Sequence, residues 1–187
     1  MTKTKKILQE IAYLLHLNGG RMNLLKLIKE LYLADRLSID EREESISGDI
    51  FYSMRNGPVL STALDMLTSD LEIYSEYLAA EDAENDREKY YKDIILLKSP
   101  GQDYLSKNDK KYLEHIFNKY KTFTAFDVVE DTHILPEWHP IKSGRCQILP
   151  AEILRALGRT EQEILAILQN NDTLKQMKGM LSGINCE

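Results

Sequence analysis

The sequence predicts an α+β fold, a predominantly helical single domain with a small antiparallel β-sheet, and three observations lead there. Apolar residues recur at three- and four-residue steps along most of the chain. Two stretches, 46–54 and 89–98, replace that rhythm with the alternating or continuous apolar patterns of strands. No internal repeat or low-complexity tract appears, and 187 residues with 43% apolar and 29% charged side chains are enough for one core.

In chain order, Thr2 or Thr4 caps a first helix with Ile7, Leu8, Ile11, Leu14 and Leu15 on one face, and Asn18-Gly19-Gly20 ends it. The short turn predicts an antiparallel hairpin with a second helix, capped by Asn23 and striped by Leu24, Leu27, Ile28, Leu31 and Ala34. Lys26, Lys29, Glu30 and Arg36 fall mostly off that stripe and read as its solvated face, with Tyr32 and Asp35 at the edge. The segment Ile46 to Met54 reads as a strand, with Gly48 at a bulge or close approach. Gly57-Pro58 makes a turn, and Pro58 suits the first position of a helix running to Leu67 with Val59 inward.

A short helix over 70–80 and a solvated acidic loop over 81–88 are expected next. Ile94-Ile95-Leu96-Leu97, closed by Ser99-Pro100-Gly101, reads as a buried strand whose expected partner is the 46–54 strand. Ser106 with Asp109 opens a helix through Tyr120, and Thr124 caps another to Thr132. The piece 134–144 is irregular. Pro150 starts a helix closed by Gly158, and Thr160 with Glu163 starts the next, which Asn170-Asn171 should break before a last amphipathic piece with Leu174, Met177, Met180 and Leu181.

The net charge of −6 argues against a surface that broadly binds nucleic acid, because phosphate neutralisation needs clustered Lys and Arg. The Lys3-Lys5-Lys6 start leads into an amphipathic helix interrupted by Gln9, Glu10 and His16, unlike a signal peptide, and no run approaches a membrane span. A cytoplasmic location is therefore expected. Cys146 and Cys186 are too far apart in sequence for a metal knuckle or redox pair, and His133, His139 and Cys146 fit no standard zinc spacing, so no metal and no cofactor is expected. No nucleophile elbow or phosphate-cradling loop stands out. Asp35, Asp49 and His133 can in principle converge as an acid/base set, but buried hydrogen bonding is the simpler use for them. The single tryptophan, Trp138, reads as a core plug before an interface anchor.

The run KELYLADR, followed by SISGDIFYSMRNGPV and, far downstream, THILPEW, resembles the Panacea domain, the SocA-like antitoxin domain of bacterial and phage toxin–antitoxin modules. The resemblance is dense over 8–67 and thins toward Trp138, which implies a domain over 1–158 and a C-terminal amphipathic helical extension over 159–187. It implies an antitoxin that binds a cognate protein toxin without catalysis, with a protease or chaperone adaptor and an oligomer as further options. The alternative is a DNA-binding regulator of its own operon, with an enzyme third. Within the resemblance, Leu27, Leu31, Gly48, Gly57, Pro58, Val59, Thr132, His133 and Trp138 form a structural motif. Thr132-His133 is expected to hydrogen-bond to the Gly48-Asp49 strand or to Tyr32. Two apolar regions ringed by polar groups are expected to contact the toxin: an exposed edge at Tyr32, Asp35, Asp49 and Phe51, and the tail with Ile164, Leu168, Met177 and Leu181.

Overall fold

A computed structural model describes residues 2–82 and 92–183. Helix α1 (Thr2–Leu17) and helix α2 (Leu24–Arg42) form the expected hairpin across a three-residue strand, β1 (Arg21–Asn23). Asn23 caps α2 by accepting from the Leu25 and Lys26 amides. Strands β2 (Phe51–Met54) and β3 (Gly57–Leu60), helix α3 (Ser61–Leu67), a 3₁₀ turn (Leu71–Tyr74) and strands β4 (Leu78–Asp82) and β5 (Lys92–Leu96) follow. Helices α4 (Lys107–Tyr120) and α5 (Ala125–His133), strand β6 (Cys146–Ile148) and helices α6 (Pro150–Ala156) and α7 (Glu161–Gly183) complete the chain. The fold is α+β, with two three-stranded antiparallel sheets among the described residues, in the orders β1-β5-β4 and β3-β2-β6.

Helix α2 is the axis of the molecule. Leu24, Leu27, Ile28 and Leu31 are buried against the apolar faces of α1, α4 and the β3-β2-β6 sheet, and Tyr32 meets Phe51 edge to face at 5.8 Å. Its polar side is buried too. Lys29 and Glu30 are 0% exposed and Lys26 only 9%, so the expected solvated face does not exist. The reason is α4 and α5, which close over that side. Lys26 Nζ donates there to the carbonyls of Tyr120 and Phe123, at 2.9 and 2.8 Å, at the end of α4.

Several local expectations are corrected. The strand expected from Ile46 begins only at Phe51, because Asp35 accepts the amides of Ile46 and Ser47 at 2.8 and 3.0 Å and removes them from any ladder. Gly48 therefore sits in a loop, at φ 63°, rather than at a strand bulge. Pro58 opens no helix. It pairs with Ser53 inside β3, an edge strand where a missing amide is tolerated, and the helix starts three residues later. β5 does not join β2, since both edges of β2 are taken by β3 and β6; it pairs with β1 and β4. In place of the helix expected over 70–80 stand the 3₁₀ turn at Leu71–Tyr74 and, from Leu78, the start of β4. Glu81 and Asp82 end that strand, and the rest of the expected acidic loop, 83–88, lies outside the described residues. Helix α7 runs through Asn170-Asn171 without a break, as the Asn171 side chain donates to the Glu43 carbonyl at 2.7 Å instead of competing for its own backbone.

Candidate partner-binding site

The loop between α2 and β2 is held by two buried carboxylates. Asp35, 0% exposed, accepts the Ile46 and Ser47 amides and the Ser47 hydroxyl. Burial pushes its carboxyl up to about 6, against those hydrogen bonds, which favour the charged form. Asp49 accepts from the Thr62 hydroxyl at 2.7 Å and the Ala63 amide at 3.1 Å. It thus caps α3, whose own N-cap, Leu60, has no side-chain acceptor. Lys3 adds an ion pair to Asp49 at 3.1 Å.

A third carboxylate, Glu137, escapes sequence reasoning. It is 2% exposed and accepts from the Tyr32 hydroxyl at 2.9 Å and from Arg36 at 2.6 Å, tying α2 to the segment after α5. Its only signal is its place between Pro136 and Trp138 in a motif read for other residues. The edge expected to be exposed is thus interior: Tyr32, Asp35, Asp49 and Phe51 are all buried.

A second cluster collects most of the structural motif. Gly57 has φ 93°, and a Cβ there would stand 2.7 Å from Thr132 Oγ1, 3.0 Å from Lys29 Nζ and 3.3 Å from His133 Cδ2. Lys29 donates to the Pro58 carbonyl at 2.7 Å, and burial holds its amine well below the usual lysine range. Thr132 donates to the Val129 carbonyl, and His133 stacks on Trp138 at 4.0 Å with an 8° interplanar angle. The expected bonds from Thr132-His133 to Gly48-Asp49 or Tyr32 are absent, because α5 ends against the β2-β3 hairpin. Burial and then the nearby Lys29 lower the His133 pKa. Trp138 donates from Nε1 to the Met54 carbonyl at 3.0 Å, plugging the end of β2.

Above the first cluster lies a cleft of about 430 Å³ whose walls include Arg42, Asp49, Phe51, Asp109, Leu154 and Leu168. It joins the two regions expected to contact a toxin, since Asp49 comes from the α2–β2 connection, Phe51 from the start of β2 and Leu168 from α7. Ile164 is 2% exposed and anchors α7 to the core, while the side chains of Met177 and Leu181 lie outside the described residues. Tyr104, 37% exposed, borders the cleft from the segment before α4. A second concavity, of about 480 Å³, lies beside Met54, Arg55, Gly57, Lys142 and Gly144 over the enclosed Lys29. None of the residues expected to contact a partner lines it.

Among the described residues, no three or more His, Cys, Asp or Glu side chains converge to hold a metal ion. Cys146 is exposed and unpaired by disulfide, and His139 pairs with Glu152 at 3.0 Å. No helix among the described residues is long and apolar enough to cross a membrane.

The described residues form a helical domain with a buried polar spine and an open cleft. The family described as antitoxin SocA-like, Panacea domain, matches residues 27–139, more than half of the chain, and the chain belongs to that family. No curated protein and no solved structure matches it. Membership supports an antitoxin role.

Proposed function

We propose that this chain is the antitoxin of a toxin–antitoxin module, neutralising its cognate protein toxin in the cytoplasm by direct contact at the cleft rather than by catalysis. One observation carries the reading: a cleft edged by exposed Tyr104 and half-buried Leu168 brings the family-matched part and α7 onto one surface. Such an apolar seat within a polar rim suits a protein partner. The rim above Asp35 and Asp49 governs neutralisation, while α7 beyond Gly158, with Ile164, Leu168, Met177 and Leu181, tunes affinity and partner choice. Tyr32, Asp35, Asp49 and Phe51 act by holding the cleft's shape from beneath.

Co-purification tests this. The tagged chain, co-expressed with the product of the neighbouring gene, is expected to retain that product. A Tyr104→Ala, Leu168→Ala pair, shown to be folded by its circular dichroism and melting curve, is expected to lose it. Retention by the paired variant as strong as by the wild type would remove the contact from this cleft.

A further inference from the structure

The second concavity, of about 480 Å³, opens at the other end of β2 from the cleft. Phe51 starts that strand beside the cleft, and Met54 ends it beside the concavity, about 10 Å away at the rise of a strand. The floor is aliphatic, with Leu25, Ile28 and Val59 buried and Met54 and Leu64 partly so. Exposed Arg55, from the β2–β3 turn, and exposed Lys142, from the loop before β6, also line it. Among the described residues, no carboxylate lines the concavity or pairs with either cation.

A third basic side chain is built into the wall. Lys29 is 0% exposed, and the one hydrogen bond of its amine goes to the neutral Pro58 carbonyl, at 2.7 Å. Burial holds that amine well below the usual lysine range, and no carboxylate among the described residues offsets the cost. Lys29 and Gly57 line the concavity together. A Cβ at Gly57 would stand 3.0 Å from Lys29 Nζ, so the glycine keeps this wall bare next to the amine, where a ligand can approach closely. An anion bound here would supply the counter-charge that the buried amine lacks, in surroundings where charges are weakly screened.

An aliphatic floor beneath cations fits an aliphatic side chain beside a carboxylate, which the Arg55 guanidinium is shaped to take through two parallel hydrogen bonds. It fits nucleic acid poorly. No aromatic side chain among the described lining residues offers a base a stacking surface, and a net charge of −6 repels a phosphate backbone. Resting on the proposed function, we propose that this concavity is a second contact for the toxin and receives an acidic segment of it, with a glutamate or aspartate carboxylate set against Arg55 and Lys142 over Lys29, and an aliphatic neighbour on Met54 and Leu64. The toxin then spans both ends of β2. Charge matching of this kind selects acidic partners and repels basic ones.

Two arms of one experiment test it. In the first, N-acetyl-leucyl-glutamate amide and N-acetyl-leucyl-lysine amide are titrated into the ¹⁵N-labelled full chain and followed by amide chemical shifts. The glutamate compound is expected to give saturable shifts at Gly57, Ser143 and Gly144 that vanish in an Arg55→Glu, Lys142→Glu variant, and the lysine compound none. Equal response to both, or to neither, overturns the inference whatever the toxin does. Inorganic phosphate stands for a nucleic-acid backbone, and saturation of the same shifts at a lower concentration of phosphate than of the glutamate compound overturns the peptide assignment. In the second arm, the product of the neighbouring gene is titrated against both forms of the chain at about 100 mM salt. The charge-reversed variant is expected to bind at least about tenfold more weakly with an unchanged melting temperature. Equally tight binding by both forms overturns the second contact and leaves the proposed function standing. No binding by the wild type, with glutamate-specific shifts intact, overturns the proposed function and leaves the preference for an acidic segment standing. Wild-type self-association that the double substitution abolishes gives the concavity to a second copy and overturns the assignment to the toxin.

Discussion

A methyl group at position 57 has no room. Gly57 takes φ 93°, and the added carbon would stand 2.7 Å from Thr132 Oγ1, so strain and clash act together. Gly57→Ala is expected to cost about 1–3 kcal/mol from the backbone alone, with the Thr132 overlap added. A thermal melt checks this, and an unchanged midpoint would mean that the hairpin can repack away from α5. The sequence marks Gly57 as a turn residue, but the neighbours that punish a side chain come from α2 and α5 and are not written locally. The same blindness affects Lys29 and Glu30. Periodicity sorts residues by polarity, and nothing in it says that α4 and α5 will cover the polar side of α2.

Glu30 leaves a measurable trace of that burial. Neither of its oxygens has a hydrogen-bond partner, Lys26 stands 3.9 Å away, and burial raises its carboxyl to about 8. Since the folded chain keeps a proton that the unfolded chain has released, the stabilisation is complete below about 4.5 and is lost as pH rises through about 8. Asp35, raised to about 6, adds a loss of the same sign at lower pH. The denaturant midpoint of the wild type is therefore expected to fall between pH 5 and 8, and Glu30→Gln to flatten the upper part of that fall. Parallel profiles for the two proteins would show that Glu30 is ionised in the fold.

At the scale of elements, α2 organises everything that touches it. Leu31 is 1% exposed within the core, so Leu31→Ala is expected to cost about 2–5 kcal/mol and to lower soluble yield. A melting temperature equal to that of the wild type would misplace the core. Helices were the legible elements, because their ends carry their own signals: the capping boxes of Ser106 with Asp109 and Thr124 with Asp127 start α4 and α5. Strands were less legible. β1 and β6 have three residues each, too few for a period, and exist because a longer strand offers them an edge. The extended reading from Ile46 fails for a related reason, as its alternation was real but its amides belong to Asp35. Asn171 shows the reverse: a helix-breaking residue is harmless once its side chain finds Glu43.

For the whole molecule, the candidate site is a product of assembly. The Asp49 and Phe51 pair, Asp109 and Leu168 come from three distant parts of the sequence and meet because α1, α2, α4 and α7 pack around one loop. Sequence reasoning found two separate apolar regions with polar surroundings; that they share one cleft, with Tyr104 on its border, is visible only in the fold. It also changes which variants are informative, since the buried Asp35 and Phe51 hold structure whereas Tyr104 and Leu168 offer surface. Growth rescue is the most direct measure of the central claim that this chain neutralises a toxin through the cleft. Cells expressing the neighbouring gene product are expected to grow when the wild-type chain is co-expressed and to arrest when the folded Tyr104→Ala, Leu168→Ala variant replaces it at equal abundance. Full rescue by that variant would contradict the account.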